Sequence, residues 1–110
     1  MSGLCGIIYL DGQSVLHAKL EHMVMRCPHR AVDGVYYHAK DGLGLACLSH
    51  DVSSDGTGEC RPEVCEKGRW VFVVDGRLDN RESCLGWQPP GFATHDLASD
   101  SCLMFGTLHY

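Results

Sequence analysis

The sequence contains no apolar run approaching the roughly eighteen residues that a membrane-crossing helix needs. Its amino terminus also lacks the basic region followed by a long apolar stretch that marks a secretory signal. A cytoplasmic protein with no membrane partner is therefore expected. Positive charge is scarce: nine Lys and Arg stand against fourteen Asp and Glu, for a formal net charge of -5. Such a chain has no electrostatic drive toward phosphate backbones or anionic lipid, and no nucleic-acid partner is expected. There is no Cys-x-x-Cys pair, and the nearest spacings, Cys27-x-His29 and Cys60-x4-Cys65, lie far apart. Structural zinc is accordingly not expected. The seven cysteines are odd in number and do not read as a disulfide scaffold in a reducing compartment; most read as small core hydrophobes. Internal repeats and low-complexity segments are missing too.

What remains is a chain of 110 residues, 45% hydrophobic, with the length and composition of one small domain or part of a larger one. Residues 3–10 form a nearly apolar run stopped by Asp11-Gly12, which predicts a strand buried on both faces. Ser14 is placed to cap a helix with apolar positions at Leu16, Leu20, Met23, Val24 and Cys27, ended by Pro28. Residues 35–39 and 43–48 are β-prone runs joined by Lys40-Asp41-Gly42, the pattern of an antiparallel hairpin. Residues 50–68 are polar and rich in Ser, Asp and Gly, and predict a long surface loop.

The run Trp70-Val71-Phe72-Val73-Val74 predicts a further strand, closed by Asp75-Gly76, where a glycine easily supplies a positive backbone angle. A short helical turn is predicted over 81–85, broken by Gln88-Pro89-Pro90-Gly91. The last element predicted is a helix capped by Ser99, with Asp100 in its first turn and Leu103, Met104 and Leu108 facing inward. The order of strand, helix, hairpin, strand, short helix and helix gives an α+β layout with mostly antiparallel sheet.

Four separated segments then occur in a telling order. They are Leu4-Cys5-Gly6-Ile7-Ile8; His29-Arg30-Ala31-Val32-Asp33-Gly34; Leu43-Gly44 followed by Leu48-Ser49; and Asp75-Gly76-Arg77-Leu78-Asp79-Asn80-Arg81 with Ser99-Asp100. In this order they resemble the class II glutamine amidotransferase domain of asparagine synthetases and their relatives. The corresponding family patterns are Cys-Gly-Ile, His-Arg-Gly-Pro-Asp-Gly, Leu-Gly-His-Arg-Arg-Leu-Ser, Asn-Gly-Glu-Ile-Tyr-Asn and Ser-Asp-Thr-Glu. The Arg-Leu-Asp-Asn-Arg version is closest in style to the lasso peptide cyclase and β-lactam synthetase-like branch. Each match alone is weak, since such short strings occur by chance; jointly they span nearly the whole chain.

The resemblance implies an αββα sandwich of the amino-terminal-nucleophile hydrolase type. Family domains are close to twice this length, so residues 1–110 correspond to the first part of one. It implies glutamine as substrate and a synthetase domain, in the same or a separate chain, that receives the ammonia for ATP-dependent amide formation. ATP and magnesium would belong to that absent domain, and no cofactor is expected in this chain. Cys5 takes the nucleophile position and Gly76 an oxyanion-hole N–H. Leu48, Asp75, Gly76 and Asp100 fall at substrate-binding positions.

Three departures accompany the match. Asp75 stands where the family has an Asn that donates to the oxyanion. Cys47 stands at the position of the Arg that binds the substrate carboxylate, and Arg77 at that of a Glu. In addition, Met1-Ser2-Gly3-Leu4 precede Cys5, whereas this chemistry requires the free α-amine of the nucleophile itself as general base. Activity is therefore expected to be impaired or lost.

An alternative reading is a catalytically silent glutaminase-like scaffold supporting a synthetase module or a partner protein. Residue by residue, Cys5 also reads as a core cysteine in a strand, Gly76 as a turn glycine, Asp33 as a turn residue and Asp100 as a carboxylate at a helix start. His29 and Arg30 read as a solvated loop in preference to a surface anion site. A sandwich given only part of its strands leaves open sheet edges, so a homodimer or aggregation is expected when the chain is expressed alone.

Overall fold

The computed structural model describes residues 2–50, 61–65, 67–88 and 99–108. Its elements run β1 (Gly3–Ile8), α1 (His17–Val24), a 3-10 turn (Pro28–Arg30), β2 (Gly34–Lys40), β3 (Leu43–Ser49), β4 (Glu63–Val64), β5 (Val71–Phe72), α2 (Arg81–Gly86) and α3 (Asp100–Leu108). A three-stranded sheet has the order β1-β3-β2, and β4 and β5 form a two-stranded ladder. All three pairings are antiparallel. The chain is a small α+β protein with antiparallel sheet.

The hairpin follows directly from its sequence. Asp41 adopts a positive φ of 52°, which its short polar side chain tolerates, and Lys40 pairs with Leu43 across the turn. Gly42 is required for a different reason. Its carbonyl accepts the Tyr9 N–H at 2.8 Å, and a Cβ there would lie 2.8 Å from the Tyr9 carbonyl oxygen. The turn is thus stitched to the end of β1.

Gly44 in β3 marks the contact between sheet and helix. A Cβ there would lie 2.5 Å from Val15 Cγ1 and 3.0 Å from Leu20 Cδ1. Val15 is β-branched and cannot swing aside, and Leu20 is fully buried. Replacing Gly44 with Val should cost about 1–3 kcal/mol through overpacking. A urea unfolding midpoint lowered with the slope unchanged would show it.

Several expectations are corrected. β1 alternates between half-buried and exposed positions, with Leu4 43% and Ile8 68% exposed, so it is not buried on both faces. It lies at the edge of the sheet, and Cys5 packs with α1 on one side only. α1 begins at His17 rather than after Ser14, with Leu16 as an extended N-cap that makes no side-chain bond. The cause is tertiary: the Val15 N–H donates to the Asp41 carbonyl at 2.8 Å and its side chain is buried, which holds the approach extended and turns Leu16 outward.

The run 70–74 pairs as a ladder only at Val71–Phe72, because its partner β4 is equally short and lies inside the predicted loop 50–68. Of that loop, residues 51–60 and 66 lie outside the described residues. Gly76 is not among the residues of positive φ, which among the described residues are Asp41, Gly12, Gly34 and Gly68. α2 ends at Gly86, and Pro89 and Pro90 lie outside the described residues.

α3 starts as its sequence dictates. Ser99 accepts the Cys102 N–H on its Oγ at 3.2 Å, while its carbonyl receives the Leu103 N–H at 3.1 Å. Leu103 is fully buried, but Leu108 is 70% exposed and Phe105 takes the inward place instead. Phe105 stacks near Phe72 with centroids 6.0 Å apart, which anchors α3 to β5. Leu103 also packs with Cys84, Leu78, Leu85 and Cys102 in a second small core. Gln88 Nε2 donates to the Cys84 carbonyl at 2.7 Å and to Thr107 Oγ1 at 3.1 Å, tying the end of α2 to α3. No helix among the described residues is long and apolar enough to cross a membrane.

Candidate functional site

Cys5 lies in the middle of β1, opposite Ala46 of β3. The period of two along a strand puts Cys5 on the same face as Ala46 and Leu48. The end of α1 lies over that face, with Val24, Ala46 and Leu48 as a buried cluster against which Cys5, Cys27, Ala31, Val35 and Tyr37 pack. Beside the cluster is a cavity of about 270 Å³ lined by Cys5, Leu48, Asp75, Arg30, Met23 and Cys27, together with residues 2–4. Three residues singled out from the sequence, Cys5, Leu48 and Asp75, thus share one cavity.

The solvated loop that the sequence predicts at Arg30 is not what the structure has. The Arg30 side chain is half-buried, and Nη1 donates to the Ser2 carbonyl at 3.0 Å. Pro28 starts the 3-10 turn that carries Arg30 back toward β1, and Ser2 is itself buried. The guanidinium therefore clips the segment ahead of Cys5 against the cavity wall. That segment is further held by pairing of Gly3 with Leu48 and Leu4 with Cys47. The nitrogen of Cys5 is consequently a strand peptide and offers no basic amine.

The Cys5 thiol is pushed above its ordinary value of 9.0, first by burial and then by the neighbouring Cys27 thiol. Burial disfavours thiolate here, the opposite of what a neutral-pH nucleophile needs. Asp75, by contrast, is exposed where it borders the cavity.

The other candidate positions fall elsewhere. Gly76 is exposed and does not line the cavity; a Cβ on it would touch Val74 Cγ2 and Met104 Cε at 3.4 and 3.5 Å. Cys47, at the family's Arg position, is fully buried and, paired with Leu4, lies on the sheet face opposite Cys5. Arg77 pairs with Asp79 at 3.1 Å, with both side chains strongly exposed.

Asp100 is only 4% exposed. Its Oδ2 accepts the Leu78 N–H at 3.0 Å, and its Oδ1 pairs with the Arg81 guanidinium. The carboxylate thus joins the first turn of α3 to the segment leading into α2. Asp100→Ala should cost about 2 kcal/mol, the worth of hydrogen bonds to a charged group. Asp100→Asn, which keeps an acceptor for the Leu78 N–H, should cost less; paired thermal melts would separate the two.

Met23 and Cys27, with residues 2–4, are lining residues that the sequence assigns to no site, and Arg30 is one it offers only as part of a surface anion site. Met23 and Cys27 stood only as inward helix positions. For Arg30 the signal was present, since it belongs to the second family-like segment. Among the described residues no group of three or more His, Cys, Asp or Glu is placed to hold a metal ion. No family model, curated protein or solved structure matches this chain.

Proposed function

We propose that this chain is the amino-terminal portion of a class II glutamine amidotransferase domain of the asparagine synthetase kind, with a weakened site. In its complete form the domain is an αββα sandwich of the amino-terminal-nucleophile type, and it hydrolyses glutamine to supply ammonia to an ATP- and magnesium-dependent synthetase domain. The observation that carries this reading is that Cys5, Leu48 and Asp75, from three separate family-like segments, line one cavity.

The chemistry of the wall supports it. A guanidinium at Arg30 lines the same cavity as the thiol and is complementary to the α-carboxylate of an amino-acid substrate. Cys5 is the nucleophile of this reading; Gly76 and Asp100, at the family-like oxyanion and amine-binding positions, lie off the cavity wall, which is what makes the site a weakened one. The edge strand β1, without charge or proline and with Leu4 and Ile8 exposed, supports pairing with further strands or with a second copy.

A second reading, a silent glutaminase-like scaffold, is favoured by the raised Cys5 thiol and by Asp75 at the donor position. Ammonia release from glutamine, compared between protein beginning at Cys5 and the same protein carrying Cys5→Ala, separates the two. The enzyme reading requires Cys5-dependent release, and equal background rates would leave only the scaffold.

A further inference from the structure

We propose that the sulfur-lined part of the Cys5 cavity binds one monovalent thiophilic cation, cuprous ion being the physiological member of that class, through Cys5 Sγ, Cys27 Sγ and Met23 Sδ. The three sulfur side chains line the same cavity. Cys5 and Cys27 pack against the same cluster of Val24, Ala46 and Leu48, and both are free thiols. Met23 and Cys27 are four residues apart, and the helical course of α1 continues between them: the Arg26 N–H donates to the Met23 carbonyl at 3.1 Å and the Cys27 N–H to the Val24 carbonyl at 2.9 Å. These i→i−3 turns close the chain tightly after α1 and bring Cys27 back beside Met23 on the cavity that Cys5 lines.

The donor set selects the ion. Two thiolates and a thioether are soft ligands that favour cuprous ion, whereas a thioether is a poor donor to zinc and calcium demands oxygen. A d10 monovalent ion is content with two or three sulfurs and needs no fourth ligand. Charge also fits: two thiolates and one monovalent cation leave a single negative charge, while Arg30 and Asp75 on the same wall are of opposite sign and offset each other. On binding, each thiol loses its proton to solvent as its S–metal bond forms, and the metal keeps its oxidation state. This inference stands apart from the glutaminase reading, although a bound ion would mask the Cys5 thiol.

The test is an anaerobic titration of the full reduced chain with cuprous ion against a chromogenic cuprous chelator. One ion per chain should be retained. Cys27→Ser and Met23→Leu should each surrender it to the chelator, while Cys65→Ser and Cys102→Ser keep it, and X-ray absorption of the loaded protein should show sulfur ligands only. Circular dichroism of the two cavity variants confirms that they fold. Failure of the native chain to retain an ion would overturn the proposal, as would retention unchanged in both cavity variants, which would place the ion on other thiols.

Discussion

Asp75→Asn should raise glutamine hydrolysis by about 100- to 1,000-fold in protein whose first residue is Cys5. The tetrahedral intermediate places negative charge on oxygen, and the site must meet it with donors. A carboxylate at position 75, on the wall of the Cys5 cavity, offers an acceptor and a like charge. The amide is nearly the same size and returns an N–H donor. Loss of one such donor costs on the order of 3 kcal/mol of barrier in hydrolases of this logic, and relief of repulsion adds to the recovery. The gain should appear in kcat more than in KM, because the contact forms only with the intermediate. Asp75→Ala, which removes the charge without supplying a donor, should recover only part of the gain. Steady-state ammonia release for the three proteins gives the comparison.

Removal of residues 1–4 should raise turnover by about 100- to 10,000-fold over the chain as it stands, the range of one general base gained. In the intact chain the Cys5 nitrogen is an amide within β1, paired along the strand with β3. Its thiol is raised by burial and by Cys27, and the amide nitrogen of Cys5 cannot accept the proton. An exposed α-amine has a pKa near 8 and can take it at neutral pH. Cleavage also removes the Ser2 carbonyl that Arg30 donates to. Its structural cost is the loss of the Gly3–Leu48 and Leu4–Cys47 pairs, which should lower the melting temperature. A trimmed protein that is less stable and more active is the expected signature; equal turnover before and after trimming would remove the α-amine from the account.

Much of the hairpin was legible in the sequence because its cause is local. Lys40-Asp41-Gly42 dictates a tight turn between two β-prone runs, and the structure has the strands on either side of it. The Ser99 cap was legible for the same reason. Errors arose where a distant partner decides the local state. Ser14 has the right side chain for a cap, yet Val15 is held extended by the Asp41 carbonyl, so the helix starts later. Leu4 and Ile8 read as core because they are apolar, but exposure is set by the position of β1 at the edge of the sheet. Val73 and Val74 have high β propensity, yet the β4–β5 ladder among the described residues spans only two residues on each strand and stops at Phe72.

The candidate site divides in the same way. Cys5, Leu48 and Asp75 were found through the motif order, and the fold collects them. A His-Arg pair in a loop is usually solvated, and only the 3-10 turn that folds Arg30 back over Ser2 gives it a place on the cavity. Met23 and Cys27 carried no functional signal, since inward sulfur residues on a helix are ordinary core filler.

The most direct test of the central claim is covalent labelling by a glutamine analogue that carries a diazoketone in place of the carboxamide, read by intact mass and peptide mapping. Protein beginning at Cys5 and carrying Asp75→Asn should take up one equivalent on Cys5, with glutamine protecting and the other cysteines unmodified. Labelling spread over several cysteines, or confined to Cys5 but indifferent to glutamine, would contradict a glutamine site in this cavity.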